Sequence, residues 1–136
     1  MTREFSAGGI VFNNQNQVLL TQNRKGDWQF PKGHIKKAET IKQAALREVR
    51  EEGGVEAKII EKIGDSKYII NFNGHEIFKT VTLFLMDYLS GDIKNHDHEV
   101  VDSQWLDAKK ALETLTFNSD KILLEKALRQ LADQND

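Results

Sequence analysis

The sequence has no cysteine, a single proline, and no apolar run near the roughly 20 residues a membrane span requires. The first absence excludes thiol catalysis, disulfide scaffolding and thiolate zinc sites. The last leaves nothing to read as a spanning helix. The opening stretch "MTREFSAGG" likewise has no apolar core of signal-peptide length, so the expectation is a soluble, cytoplasmic protein with no membrane partner. Also missing is any block of Lys and Arg: 19 basic residues are scattered among 21 acidic ones, for a net charge of -2. A stable nucleic-acid partner held by a basic surface is therefore not expected.

What is present is ordinary in bulk and unusual in one place. At 136 residues, 39% hydrophobic and 29% charged, the chain is expected to form a single domain over 1–136 with its own core, as a monomer or homodimer. Strand-like alternation runs through "FSAGGIVF" and "VLLTQ", separated by the turn "NNQNQ", and a polar loop leads to "WQF" and "PKGH". Further strands are expected at "AKIIEKIG", "KYIINF", "HEIFKTVTLFLMDYL" and "EVVDSQWL", with Asn73-Gly74 as a tight hairpin turn. Amphipathic helices follow at "AKKALETL" and "SDKILLEKALRQLAD", the second capped by Asn118 or Ser119. One helix embedded between strands, with others at the end, predicts an α/β fold in which helices cover a mixed sheet.

The embedded helix carries the anomaly. Thr40 and Gln43 form a capping-box pattern, Gly53-Gly54 supplies a left-handed stop, and Ile41, Ala45 and Val49, with Leu46 beside them, make an apolar stripe over about Ile41 to Glu52. Beside that stripe stand Glu48, Glu51 and Glu52, although like charges at this spacing repel by a few tenths of a kcal/mol per pair. Taken alone, "REVREE" reads as a solvated acidic turn with Arg47 and Arg50 as surface partners. Placed at the border of the core, the three carboxylates instead call for a cation, and hard ions such as Mg²⁺ or Mn²⁺ prefer oxygen ligands.

The wider segment decides between these readings. Gly33, five residues, Glu39, seven residues, Arg47-Glu48-Val49-Arg50-Glu51-Glu52, one residue, then Gly54-Val55 resembles the signature of the Nudix hydrolases at every defining position, over 23 residues. The resemblance implies an α/β/α sandwich with a mixed sheet and divalent-metal-dependent cleavage of a nucleoside diphosphate linked to another group. It implies that Glu48, Glu51 and Glu52 bind Mg²⁺ or Mn²⁺, that Lys32 offers a backbone carbonyl to the metal, and that Arg47 and Glu39 orient the glutamates. The water-activating base remains open among Glu48, Glu51, Glu52 and Glu99.

Three flanking stretches, "WQFPKGH", "HEIFKTVTLFLMDY" and "HEVVDSQWL", resemble the diadenosine tetraphosphate hydrolase branch. On that likeness Lys79 contacts phosphate, Glu99 approaches the metals, Tyr68 and Phe117 sandwich an adenine ring, and Lys32 and His34 add phosphate contacts. Lys79 alternates with apolar neighbours in a strand, so solvent exposure is also expected of it. The implied reaction is asymmetric hydrolysis of diadenosine tetraphosphate, a small-molecule nucleotide, to ATP and AMP. Alternatives are a MutT-like nucleoside triphosphate pyrophosphohydrolase, an RNA 5′-pyrophosphohydrolase, a non-catalytic nucleotide-binding module, or an interaction domain with a decorative acidic helix.

Overall fold

The structure, a computed structural model, describes residues 2–134. Its elements are β1 (Thr2–Phe12), β2 (Val18–Asn23), β3 (Trp28–Gln29), β4 (Lys32–His34), α1 (Ile41–Gly53), β5 (Val55–Phe72), β6 (His75–Gly91), β7 (Val100–Leu106), α2 (Ala108–Thr114) and α3 (Asn118–Gln134). The strands form one mixed sheet in the order β3-β2-β1-β6-β5, with β4 paired to β1 and β7 to β2. Strands β1 and β6 run parallel from Thr2↔Ile77 to Phe12↔Asp87, while the other pairings are antiparallel.

Because β1 and β2 are covered on both faces, their side chains feed two cores. Ile10, Phe12 and Leu20 join Ala111, Leu115, Leu124 and Ala127 beneath α2 and α3. Ala7, Val11 and Leu19 join Ala44, Ala45 and Val49 beneath α1. The result is the α/β/α sandwich expected from the sequence, and no helix among the described residues is long and apolar enough to cross a membrane. Gly9 is a place where β1 is pressed from two sides: a Cβ there would lie 2.7 Å from Met86 Sδ of β6 and 2.9 Å from Val49 Cγ2 of α1.

Helix α1 has the expected limits. Thr40 accepts from the Gln43 amide while the Gln43 side chain accepts from Thr40, and Gly54 closes the helix at φ 76°. Its stripe differs from expectation, since Ile41 is largely exposed and Ala44 takes the buried place. Asn73 and Gly74 have φ of 51° and 78°, the left-handed pair of a tight hairpin turn.

Two further expectations change. The segments "AKIIEKIG" and "KYIINF" are one continuous strand, whose register shifts at Glu56/Ala57, Ile59/Glu61 and Lys62/Gly64 interrupt the alternation that a sequence reading relies on. Gly64, the last residue of the expected segment "AKIIEKIG", stays within the strand, and its missing side chain lets α3 come close: a Cβ would sit 3.0 Å from Leu123 Cδ2. Helix α3 starts at Asn118, so Asn118 and Ser119 lie within the helix; the Asp120 and Lys121 amides donate to the Phe117 carbonyl, and the Ser119 hydroxyl bonds Ser66 at 2.7 Å.

Candidate active site

The site begins with the short crossing from β4 into α1. Arg47, projecting from the helix, donates through every guanidinium nitrogen. Nε and Nη2 bind the two Glu39 oxygens at 2.6 and 3.0 Å, Nη1 binds Glu48 Oε1 at 2.5 Å and Glu51 Oε2 at 2.9 Å, and Nη2 also reaches the His34 carbonyl at 2.9 Å. Glu39 in turn accepts from the Lys36 amide. Arg47, followed by that amide, holds the Glu39 carboxyl down to about 2, and Glu39 raises the already high pKa of Arg47. This network joins β4, the loop and the helix through one planar cation, a geometry lysine cannot reproduce.

Glu48 and Glu52, one turn apart on α1, are buried at 8% and 9% exposure. Burial raises the pKa of both: Glu48 upward against the opposing pull of Arg47, and Glu52 to about 7 against Lys32. The Lys32 amide donates to Glu52 Oε2 at 3.4 Å. Gly33 passes directly over the Glu48 carboxylate, where any Cβ would collide with it. Glu51 is placed differently. It is exposed and bound to Arg47, and its backbone carbonyl accepts from the Asp97 amide at 2.9 Å, tying the helix end to the loop before Glu99.

Two cavities meet at this point. One, of about 270 Å³, is lined by Ser6, Lys32, Gly33, His34, Lys36, Glu48, Glu52, Lys79 and Glu99. The other, a cleft of about 460 Å³, includes Arg24, Lys25, Asp27, Gln29, Tyr68 and Phe117, and it shares Lys32, Lys79 and Glu99 with the first. Four cations thus line the cleft next to a buried carboxylate pair. That arrangement can draw in a polyanion and present it to whatever the carboxylates hold.

The structure brings together Lys32, His34, Glu48, Glu52, Lys79 and Glu99 as expected neighbours, but two details differ from the sequence reading. Lys79 is buried, at 8% exposure, not solvated; its Nζ donates to Glu4 Oε1 at 2.8 Å and lies 3.4 Å from His34 Nε2. Lys79 is also what lowers the Glu4 carboxyl. Tyr68 and Phe117 stack on each other, with centroids 4.5 Å apart and planes 13° apart, so no ring fits between them. Any aromatic partner of this pair has to lie against an outer face. Burial pushes the Tyr68 phenol up to about 12, so it faces the cleft as a neutral donor.

Sequence reasoning missed Glu4, Ser6, Arg24 and Asp120. The period-2 pattern of β1 places Glu4 and Ser6 on one face, but only pairing with β4 and β6 brings that face to the site. Arg24 donates to the His98 carbonyl at 3.1 Å and so steadies the loop that carries Glu99 across 74 residues of chain.

Whether the donors suit a divalent ion is a question of count as well as type. Among the described residues, no three Asp, Glu or His side chains converge closely enough to complete a site. Glu48 and Glu52 nevertheless offer buried oxygens in one cavity, beside the buried Ser6 hydroxyl that has no partner within the protein. Mg²⁺ is commonly held by one or two carboxylates and completes its shell with water and substrate phosphate, so this donor set fits it.

A family model described as NUDIX domain matches residues 2–126. The chain belongs to the Nudix family. Among its relatives, the putative mutator protein MutT4 of Mycobacterium tuberculosis is 33% identical over 134 residues, covering 91% of this chain and 54% of that protein. The asymmetrical bis(5'-nucleosyl)-tetraphosphatase of Sus scrofa is 30% identical over 120 residues, covering 85% and 80%. This Nudix chain therefore spans about half the length of the mycobacterial relative but most of the porcine one. The Caenorhabditis elegans Ap4A hydrolase in a binary complex shares the fold at a TM-score of 0.76 and 22% identity, over 96% of this chain and 98% of that one.

Proposed function

We propose that the protein is a Mg²⁺- or Mn²⁺-dependent hydrolase that splits diadenosine tetraphosphate asymmetrically into ATP and AMP. The observation that carries this reading is the junction of the two cavities, where Lys32, Lys79 and Glu99 line both the carboxylate pocket and the cationic, aromatic-walled cleft. The volume of the cleft suits a nucleotide. The 30% identity to a bis(5'-nucleosyl)-tetraphosphatase, over 80% of that protein's length, supports the same choice.

In this reading an adenine stacks on the outer face of the Tyr68–Phe117 pair, and the phosphate chain runs past Lys79 and Lys32 toward Glu48 and Glu52. Arg47 holds Glu48 and Glu51 in place, with Glu39 fixing Arg47. Glu48 and Glu52, with Glu99 and the Lys32 carbonyl lining the same pocket, would hold a divalent ion, which would supply neutralisation of phosphate oxygens and acidification of water. Water attacks phosphorus, the bridging P–O bond breaks, its electron pair leaves with the departing phosphate, and the water proton passes to whichever of Glu48, Glu51, Glu52 and Glu99 is not engaged by the cation. Burial raises the carboxyls of Glu48 and Glu52 in the metal-free protein, and a divalent ion bound there would offset that burial by stabilising their ionised forms. Positioning and charge stabilisation carry most of such a reaction.

The closed Tyr68–Phe117 stack favours a second reading, because it lacks the gap in which two aromatics would sandwich an adenine of the dinucleotide. A nucleoside triphosphate would satisfy it, and the mycobacterial relative's designation as a putative mutator protein agrees. The test is a substrate panel of diadenosine tetraphosphate, 8-oxo-dGTP and ADP-ribose with Mg²⁺, an EDTA control and chromatographic identification of products. ATP plus AMP formed fastest from diadenosine tetraphosphate supports the first reading; faster turnover of 8-oxo-dGTP replaces it with the second. Glu52→Gln should lower turnover by several orders of magnitude with the fold intact. A loss below about tenfold, roughly 1.4 kcal/mol of barrier, would remove Glu52 from the reaction.

A further inference from the structure

Three buried side-chain polar atoms among the described residues have no hydrogen-bond partner: Ser6 Oγ, Glu61 Oε1 and Ser103 Oγ. Of these, Ser6 lines the carboxylate cavity. It sits in the middle of the sheet, paired with His34 on one side and Val81 on the other, at 2% exposure. A buried hydroxyl without a partner costs on the order of 1–3 kcal/mol, and alanine at the same place would remove that cost. Alanine keeps serine's own Cβ, so the exchange adds no volume at this depth of the strand.

The polar groups around Ser6 are committed elsewhere. Lys79 Nζ donates to Glu4, Glu48 receives Arg47, and Glu52 receives the Lys32 amide. An ammonium offers Ser6 no acceptor, and none of the neighbouring carboxylates is within bonding distance of it. The missing partner is an acceptor that belongs beside Lys79 and Lys32, and a phosphate oxygen meets that description.

We propose that Ser6 is a phosphate-binding residue, donating its hydroxyl proton to a non-bridging oxygen of the nucleotide's phosphate chain from the floor of the sheet. The assignment rests on the function proposed above and adds a binding residue to it. A hydrogen bond to a charged group is worth more than a neutral one, so its loss is visible as a change in affinity.

The experiment compares wild type with Ser6→Ala in two measurements. One is affinity for a methylene-bridged, non-hydrolysable diadenosine polyphosphate in Mg²⁺; the other is the thermal midpoint of the free protein in EDTA. The expected result is about tenfold or more weaker binding by Ser6→Ala, with a free-protein midpoint equal to or above that of wild type. Ser6→Cys, close in shape with a far weaker donor, should weaken binding in the same direction and covers the case in which alanine disturbs the strand. Equal affinity in wild type and both variants would mean that only a buried water meets the hydroxyl, and would overturn the assignment alone. A lowered midpoint with unchanged affinity would make Ser6 structural and overturn it too. A wild type that binds no nucleotide overturns both this assignment and the function it rests on.

Discussion

Ala38 and Asp120 are each held in a state their chemistry resists. Ala38 has φ of +68°, a left-handed conformation in the tight turn that delivers Glu39 to Arg47. A Cβ in that region costs about 1–2 kcal/mol, partly offset by the greater freedom glycine has in the unfolded chain. Ala38→Gly should therefore stabilise the protein by about 0.5 kcal/mol in urea unfolding; destabilisation would show that this turn owes its shape to contacts with the Ala38 methyl group. Asp120, at 5% exposure in the first turn of α3, lies against Phe30, Tyr68, Val81 and Leu83. Burial raises its carboxyl to about 6, with Ser66 and then Lys32 pulling the other way. An acid whose folded pKa is raised contributes stability that is full below its unfolded value and is lost as pH climbs through the folded one. For Asp120 the window is about pH 4 to 6, and two pKa units correspond to roughly 3 kcal/mol at most. Asp120→Asn should flatten that part of the stability profile, measured by urea midpoints in EDTA at pH 4 and pH 7. An unchanged slope would assign the dependence to other groups.

At the scale of elements, α1 does two jobs with one surface: it packs Ala44, Ala45 and Val49 on the sheet and presents Glu48 and Glu52 at the same border. At Gly9 the strand lies against Val49, the residue that follows Glu48 on the helix. Gly9→Ala would drive a methyl into Met86 and Val49, costing about 1–3 kcal/mol as overpacking does, and should lower activity through displacement of the helix. A variant with lost stability and wild-type turnover would show that the helix tolerates the shift. The capping box, Gly54 and the Asn73-Gly74 turn were legible because each is a local hydrogen-bond or φ requirement with its own residue signature. Strand β5 was not legible as one element. Its bulges and Gly64 look like punctuation in one dimension, and only partnership with β6 and the approach of Leu123 give them their actual role.

Across the whole molecule, the candidate site is assembled from β1, β4, α1, β6 and the loop ending at Glu99, elements far apart in the chain. A ligand bound there links all of them, so it should stabilise the entire fold. With Mg²⁺ and a non-hydrolysable nucleotide at a hundred times its dissociation constant, the gain expected is about 2.7 kcal/mol, read as a rise in thermal midpoint. Burial of Glu48 and Glu52 already removes the reading of a merely solvated acidic helix, and no rise with metal and nucleotide together would remove the proposed ligand from the site.

The sequence by itself determined the family segment from Gly33 to Val55, the helix that carries it, and the choice of oxygen donors, because these depend on local spacing, capping and side-chain chemistry. Tertiary structure alone decided that Glu48 and Glu52 are buried while Glu51 is exposed on Arg47, that Lys79 is held by Glu4, and that Tyr68 and Phe117 close on each other. It also brought Ser6 to the floor of the site. The reason is physical: burial and partnership are properties of surfaces that meet only after the parallel pairing of β1 with β6 joins residues some 75 positions apart.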